Sequence, residues 1–399
     1  MFSFKSKLDP NLKVAIDKKY YKNYRVIIHC KNLPESIEKK IKSYKGRVVH
    51  FIPIINCICA VLSATAIERV LEFPQVNYIS LDTYAVLCGG KSVLPSNGIM
   101  FQERYKLTGK NICIGLIDSG VYPHADFLNP RNRIKKFTDV LSECRYPYDD
   151  NGHGTAIAGI LGGSGYLSKG VNRGVAENSY LYVIKAFNSL GRGYVSDILY
   201  SIETLINDRE EFNIKVICLP FELLSSDYFI VSLFSKIFDV AASYNVTIVV
   251  PAGHNGNDEG SIIGIATLEN CITVAGIDTS HIQPKPYKYS STGPFAKLDK
   301  PDLSAAAVNI LSTNSNTDYI SEKNGLKIYP SSLDTPYINI SGTSCSAAYV
   351  AGVCALLYEN NPDLTPKDLL SLLKVSCNLA DMSKWIQGAG ILDLNKLLP

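Results

Sequence analysis

Residues 337–359 read YINISGTSCSAAYVAGVCALLYE: an extended apolar lead, a glycine and hydroxyl cluster, then a stretch at helical spacing. Ser341, Thr343, Ser344 and Ser346 put hydroxyls where that helix begins. Serine and threonine are good helix caps, so capping is one account of the cluster. The other is that a serine here is a nucleophile aimed into a cleft. Two more polar stretches stand beside apolar runs. In IGLIDSGVYPHADF (114–127), Asp118 closes a strand-like run and Ser119 and Gly120 follow it. In YDDNGHGTAIAGILGG (148–163), His153 opens a helix-like run. Taken singly, Asp118 suits a turn or a cap, and His153 suits a capping or half-buried polar role. The rest of the chain has to decide between the two readings.

The elements that would carry these residues fall into two groups. From 24 to 82 the order is strand (YRVIIHC), helix (PESIEKKIKSY), two strands (GRVVHFIPI, CICAVLSA), helix (TAIERVLEF) and strand (VNYISLD). That is the split β-α-β pattern of a small ferredoxin-like α+β unit. Residues 83–102 hold Gly89, Gly90, Pro95 and Gly98 with little periodicity and read as a linker. From 111 onward, short continuous runs rich in Val and Ile (ICIGLID, SYLYVIKAF, IKVICLPF, VTIVVPAG, CITVAGI) alternate with helical patterns. Such runs suit strands buried on both faces of a mostly parallel sheet covered by helices. In such a sheet, chemistry sits at the carboxyl ends of the strands. The expected division is 1–88, a linker with a processing region at 89–106, and a large domain at 107–399.

Composition excludes several classes. An apolar fraction of 46% with 19% charged residues is that of a globular protein, not a disordered one. A net charge of +3 gives no reason to expect nucleic acid as a partner. The charge is uneven, however: residues 1–88 hold 14 Lys and Arg against 7 Asp and Glu, a net +7, which leaves −4 on the remainder. A basic front piece facing an acidic body attracts it, within the limits of screening. The 11 cysteines form no framework, and several lie in apolar runs, as reduced buried thiols do. Cys57 and Cys59 have C-x-C spacing, but no second ligand pair supports a metal site. The N-terminal residues have no signal-peptide core, and no run nears the roughly 18 apolar residues of a membrane span. The expectation is a soluble cytoplasmic protein with no cofactor. A nucleotide-binding α/β protein is disfavoured, because no phosphate-binding glycine loop follows the first strand.

Together the three polar stretches resemble the subtilisin-like serine proteases (subtilases, peptidase S8), whose motifs are D-[ST]-G, H-G-T and G-T-S-x-[AS] in that order. Here they read Asp118-Ser119-Gly120, His153-Gly154-Thr155 and Gly342-Thr343-Ser344-Cys345-Ser346. The segments GVAENSYLYVIKAF, GRGYVSDILYSIE, TIVVPAG, ITVAGID, YSSTGPFAKLDKPDL and GAGILDL fall where that family has similar ones, so the likeness runs from 107 to 398. Residues 24–82 look like the family's inhibitory propeptide. The resemblance implies a three-layer subtilisin-like fold with a central, mostly parallel sheet. It also implies an intracellular serine endopeptidase, made as a zymogen that cuts itself. Ser344 would attack, His153 would take and return the proton, and Asp118 would orient the imidazole. The Ser344 backbone at the helix start would help bind the oxyanion. Partners would be a peptide or protein substrate and the chain's own propeptide. Ser341 and Thr343 would then cap and pack.

The sequence also departs from the family pattern. Where the family has A-A-G-N-x-G, this chain has Pro251-Ala252-Gly253-His254-Asn255-Gly256. His254 stands at the oxyanion-donor position, or a one-residue shift brings Asn255 there. Ala252 and Gly253 would line the substrate pocket. The strand that pairs with substrate aligns with Pro220-Phe221-Glu222. Pro220 lacks an N–H and weakens the ladder, and Glu222 either favours a basic substrate side chain or narrows the pocket. Gly191, Arg192 and Gly193 look like the opposite edge of the substrate-binding strands, where Arg192 either contacts acidic substrate residues or, the favoured reading, is simply solvated. Cys345 replaces a core methionine. Residues 165–174 are short and carry no carboxylate, so no obligatory calcium is expected there. These departures motivate an alternative: a weakly active or inactive subtilase scaffold kept for binding or regulation.

Overall fold

The computed structural model describes residues 7–31, 35–87, 107–223, 227–280, 283–293 and 299–397. The expected linker at 89–106 lies outside the described residues.

The N-terminal unit has strands β1 (Tyr24–Cys30), β2 (Arg47–Ile52), β3 (Cys57–Leu62) and β4 (Val76–Leu81), with helices α2 (Glu35–Ser43) and α3 (Ala64–Leu71) between them. A helix the sequence reading did not include, α1 (Pro10–Asp17), precedes β1. Its start is marked by an Asp9 cap and Pro10 in the first turn. The antiparallel sheet order is β2-β3-β1-β4, the expected ferredoxin-like order. Its side chains alternate between two cores, as strand geometry requires. Val26, Ile28, Ile58, Ala60 and Leu62 pack with Leu12, Ile37, Ile41 and Ile67 of the three helices. Ile27, Ile52, Cys57 and Cys59 face the other way and join the core of the large domain. Burial there pushes the Cys57 and Cys59 thiols up, away from the thiolate form a metal needs.

The large domain is built on a ten-stranded sheet. Next along the chain come β5 (Tyr84–Leu87), β6 (Cys113–Asp118), a short helix α4 (Ala125–Leu128), β7 (Ile134–Asp139), α5 (His153–Gly162), β8 (Tyr180–Lys185), β9 (Arg192–Tyr194), α6 (Val195–Asn207), a short α7 (Arg209–Phe212), β10 (Ile214–Cys218), β11 (Phe221–Leu223), α8 (Tyr228–Ser243), β12 (Thr247–Pro251) and β13 (Ile272–Asp278). Then follow β14 (Lys285–Pro286), β15 (Leu303–Ala306) and, further on, a helix of 18 residues, Thr343–Asn360. Pairing runs β15-β13-β12-β10-β6-β8-β7, parallel throughout that stretch. All residues of β6 and β12 are buried, as expected of strands covered on both faces. Helix α5 and the Thr343–Asn360 helix cover one face, α6 and α8 the other. This is the three-layer α/β architecture expected. β6 lies between β8 and β10, where successive crossovers turn to opposite sides, so its carboxyl end opens a crevice.

β5 belongs to neither main sheet. It is the middle strand of a three-stranded antiparallel sheet, between β9 and β11. Residues expected in the linker thus form a strand on the large domain.

Candidate active site

Asp118 is the last residue of β6 and fully buried. His153 is the first residue of α5. Ser344 is the second residue of the Thr343–Asn360 helix. His153 Nδ1 lies 2.9 Å from both Asp118 carboxylate oxygens, and Nε2 lies 3.2 Å from Ser344 Oγ. A carboxylate only accepts, so Nδ1 carries the proton and Nε2 is left to accept from the hydroxyl. An imidazole held this way can take the hydroxyl proton while its charged form is stabilised.

The surroundings lock this arrangement. Asp149 is buried and its two oxygens accept five bonds: Oδ1 from Ser119 Oγ (2.8 Å), Asn151 N (3.1 Å) and Gly152 N (2.8 Å), and Oδ2 from Thr155 N (2.8 Å) and Thr155 Oγ1 (2.6 Å). Ser119 Oγ in turn accepts from Gly154 N (2.9 Å). One carboxylate therefore ties the end of β6 to the start of α5. A Cβ on Gly154 would meet Gly120 O at 2.2 Å, so only glycine permits this approach. The buried Lys185 donates to Ser119 O (2.6 Å) and Phe187 O (3.0 Å) and pairs with Asp150 (2.5 Å), which fixes the same strand end. Asp149 and Lys185 were not singled out from sequence. The available signal was an acidic pair just ahead of a helix start, where carboxylates are favoured.

The hydroxyl cluster divides its work differently from expectation. Neither Ser341 nor Thr343 caps the helix: the N-cap is Gly342 and no side chain caps it. Ser341 Oγ accepts from Asn309 N (3.0 Å), and Thr343 Oγ1 donates to Gly253 O (3.2 Å). Gly342 supplies no capping side chain, and Thr343 ties the helix start to the 251–254 segment. Ser346 Oγ donates to Ala305 O (3.0 Å). Cys345 is buried in the core, and its thiol is pushed up to about 12 by burial. It is therefore an unreactive core residue.

Ala252 is buried and Gly253 has a positive φ of 106°. His254 stacks on Tyr289, with ring centroids 4.7 Å apart, and its Nδ1 is buried with no partner among the described residues. Burial holds the His254 imidazole below its ordinary pKa, so the ring is neutral at neutral pH and keeps one N–H. Asn255 turns elsewhere: Nδ2 donates to Ser261 O (3.3 Å) and its main-chain N–H to Ser291 Oγ (2.9 Å). Gly191 has a positive φ of 70°, and Arg192 and Gly193 lie on β9, Arg192 exposed and Gly193 buried. Phe221 and Glu222 lie on β11, the first buried and the second half-buried. Pro220 does not prevent pairing: the ladder begins just after it, with Phe221, Glu222 and Leu223 opposite Leu87, Val86 and Ala85. Glu222 Oε2 accepts the His254 main-chain N–H at 2.8 Å. Burial raises the Glu222 pKa and that hydrogen bond works against the rise. Among the described residues no cluster of three or more His, Cys, Asp or Glu could hold a metal.

The subtilase family model matches residues 109–390. The serine protease AprX of Bacillus subtilis is 31% identical over 361 residues, which cover 86% of this chain and 79% of AprX. The subtilisin of Bacillus sp. strain TA39 is 28% identical over 271 residues, covering 65% of this chain and 60% of that protein. The crystal structure of fervidolysin from Fervidobacterium pennivorans superposes with a TM-score of 0.73 at 19% identity, over 95% of this chain and 61% of that one, a likeness of fold.

Proposed function

Since this chain belongs to the subtilase family of serine proteases, we propose that it is a serine endopeptidase that uses Asp118, His153 and Ser344 and is made as a precursor whose residues 1–88 inhibit it and are its first substrate. The observation that carries this reading is the unbroken hydrogen-bonded line from Asp118 through His153 to Ser344 Oγ. Ser344 Oγ adds to the peptide carbonyl as its proton passes to His153 Nε2. The C–N bond then breaks, and the leaving amine takes that proton. Water, deprotonated by the same nitrogen, hydrolyses the acyl-enzyme and restores the hydroxyl. The developing oxyanion is bound by the Ser344 backbone at the helix start and by the His254 ring N–H.

The inhibitory role of the N-terminal unit rests on β5. Tyr84–Leu87 runs as a strand between β9 and β11, as an extended peptide would add itself to two exposed edges. A reducing compartment, the cytoplasm, suits the ten described cysteines, all unpaired. No described helix is long and apolar enough to cross a membrane.

The test is incubation of the purified full chain. Two fragments should appear, and sequencing should put the new N-terminus of the larger one between residues 88 and 106. Ser344→Ala should stay intact and should not react with a fluorophosphonate probe that labels the processed wild type. A processed wild type that takes up no probe would instead favour the inactive scaffold.

A further inference from the structure

The register of β5 singles out one side chain beside the reacting centre. Phe221 and Leu223 are buried, and Ala85, paired with Leu223, is buried in the same core. Side chains alternate along a strand, so Glu222 falls on the other face of β11. A peptide bound in this register brings a side chain to that face at every second residue. The 251–254 segment is tied to the start of the helix that carries Ser344, where Thr343 Oγ1 donates to Gly253 O at 3.2 Å. A substrate side chain between β11 and that segment therefore lies beside the reacting hydroxyl.

Glu222 does not reach out to meet such a side chain. Its Oε2 is folded back onto the 251–254 segment, where it accepts the His254 N–H at 2.8 Å. A Cβ on Gly253 would lie 2.7 Å from that oxygen, so the carboxylate rests directly against the glycine α-carbon. The side chain therefore spans the gap between the ladder strand and the segment tied to the nucleophile helix through Thr343. A substrate side chain that enters between those two walls has to share the space with this carboxylate.

We propose that Glu222 sets the substrate class: its folded-in carboxylate fills the pocket between β11 and residues 252–254, so the residue before the cleaved bond carries a small uncharged side chain. This deepens the endopeptidase reading and rests on it. The chain's own sequence agrees, because Leu87 is followed by Cys88, Gly89 and Gly90. A lysine or arginine would have to displace a carboxylate already bonded to a main-chain donor.

The test uses processed wild type, Glu222→Gln and Glu222→Gly with three peptides that differ only in the residue before the cleaved bond: Ala, Phe or Lys. Wild type should cleave the Ala peptide with a kcat/KM at least about tenfold above the other two, within the range that fit in an apolar pocket gives. Glu222→Gly should raise Phe relative to Ala by about 10–100-fold. Glu222→Gln keeps the volume and an acceptor for the His254 N–H, so it should keep the Ala preference. Equal rates on Ala and Phe in wild type would overturn the proposal. So would a wild-type preference for Lys that Glu222→Gln abolishes. Wild type that neither cleaves any peptide nor takes the fluorophosphonate would bring down the endopeptidase reading itself, and this one with it.

Discussion

His254 is the residue whose chemistry differs most from the family pattern. Its ring stacks on Tyr289, its main-chain N–H is spent on Glu222, and its Nδ1 is buried with no partner among the described residues. A buried ring nitrogen left unpaired costs stability in the resting enzyme, so its retention points to a partner that arrives during turnover. His254→Ala should lower kcat about 10²–10³-fold with little change in KM. That magnitude is the one known for subtilisin, a relative of this chain, and is carried over rather than deduced. His254→Asn keeps a side-chain donor and should lose less than about tenfold. Steady-state kinetics on the processed enzymes checks both. At this scale the sequence was legible where a motif names the residue, as at Asp118, His153 and Ser344. It was not legible at Asp149, because an aspartate ahead of a helix reads as a turn residue. Only the fold brings Ser119 and Thr155 onto its two oxygens. That the Glu222 carboxylate rests against Gly253 was not legible, because the two are far apart in sequence.

Among elements, the buried parallel strands were legible because their Val and Ile runs leave few alternatives. β7 was not. It is an edge strand, reads Ile-Lys-Lys-Phe-Thr-Asp, and carries the lysines with which edges avoid unwanted pairing. β5 was read as linker because nothing local makes it a strand; β9 and β11 supply its hydrogen-bond partners. Just before β7 stands Arg133, 1% exposed, in the core. Its guanidinium donates to Gly162 O, at the end of α5, to Asp126 O, and to Ser179 O at 3.4 Å. Burial lowers its pKa to about 10, which still leaves it charged at neutral pH. The planar fork reaches separate carbonyls at once, and an ammonium group cannot reproduce that. Arg133→Lys should therefore destabilise the chain by about 2–4 kcal/mol, the cost of leaving buried carbonyls unpaired. Urea denaturation in a Ser344→Ala background, which removes self-cleavage, measures it.

For the whole molecule, the basic N-terminal unit meets the large domain partly through charge, where Arg25 pairs with Asp197. The N-terminal unit shares an apolar core with α6 and α8, and a polar cluster lies beside it. Arg25 pairs with Asp82 (2.7 Å) and Asp197, Asp82 accepts from Ser196 N (2.9 Å), and His50 Nε2 lies 2.8 Å from Asp197 while its ring stacks on Tyr200. Truncating one partner of such a pair costs about 2–5 kcal/mol, mostly by stranding the other charge. Full-length Arg25→Ala should therefore release activity on a peptide substrate earlier than wild type, with at least about tenfold more activity at early times. Acid acts on the whole molecule through a different set of side chains. Burial holds His29, His124 and His254 below the ordinary histidine pKa, with the Lys236 charge adding to the effect at His29. Asp126 opposes it at His124. Folding therefore favours the neutral rings, whereas the unfolded chain takes up protons at about 6.5. The stability these residues contribute is present above that value and is lost as pH falls through the lower folded values. Between pH 7.5 and 5.5 the Tm of the Ser344→Ala chain should fall steadily, and His124→Asn should lessen the slope. A Tm that stays level or rises on acidification would mean that these rings are not held neutral in the folded protein.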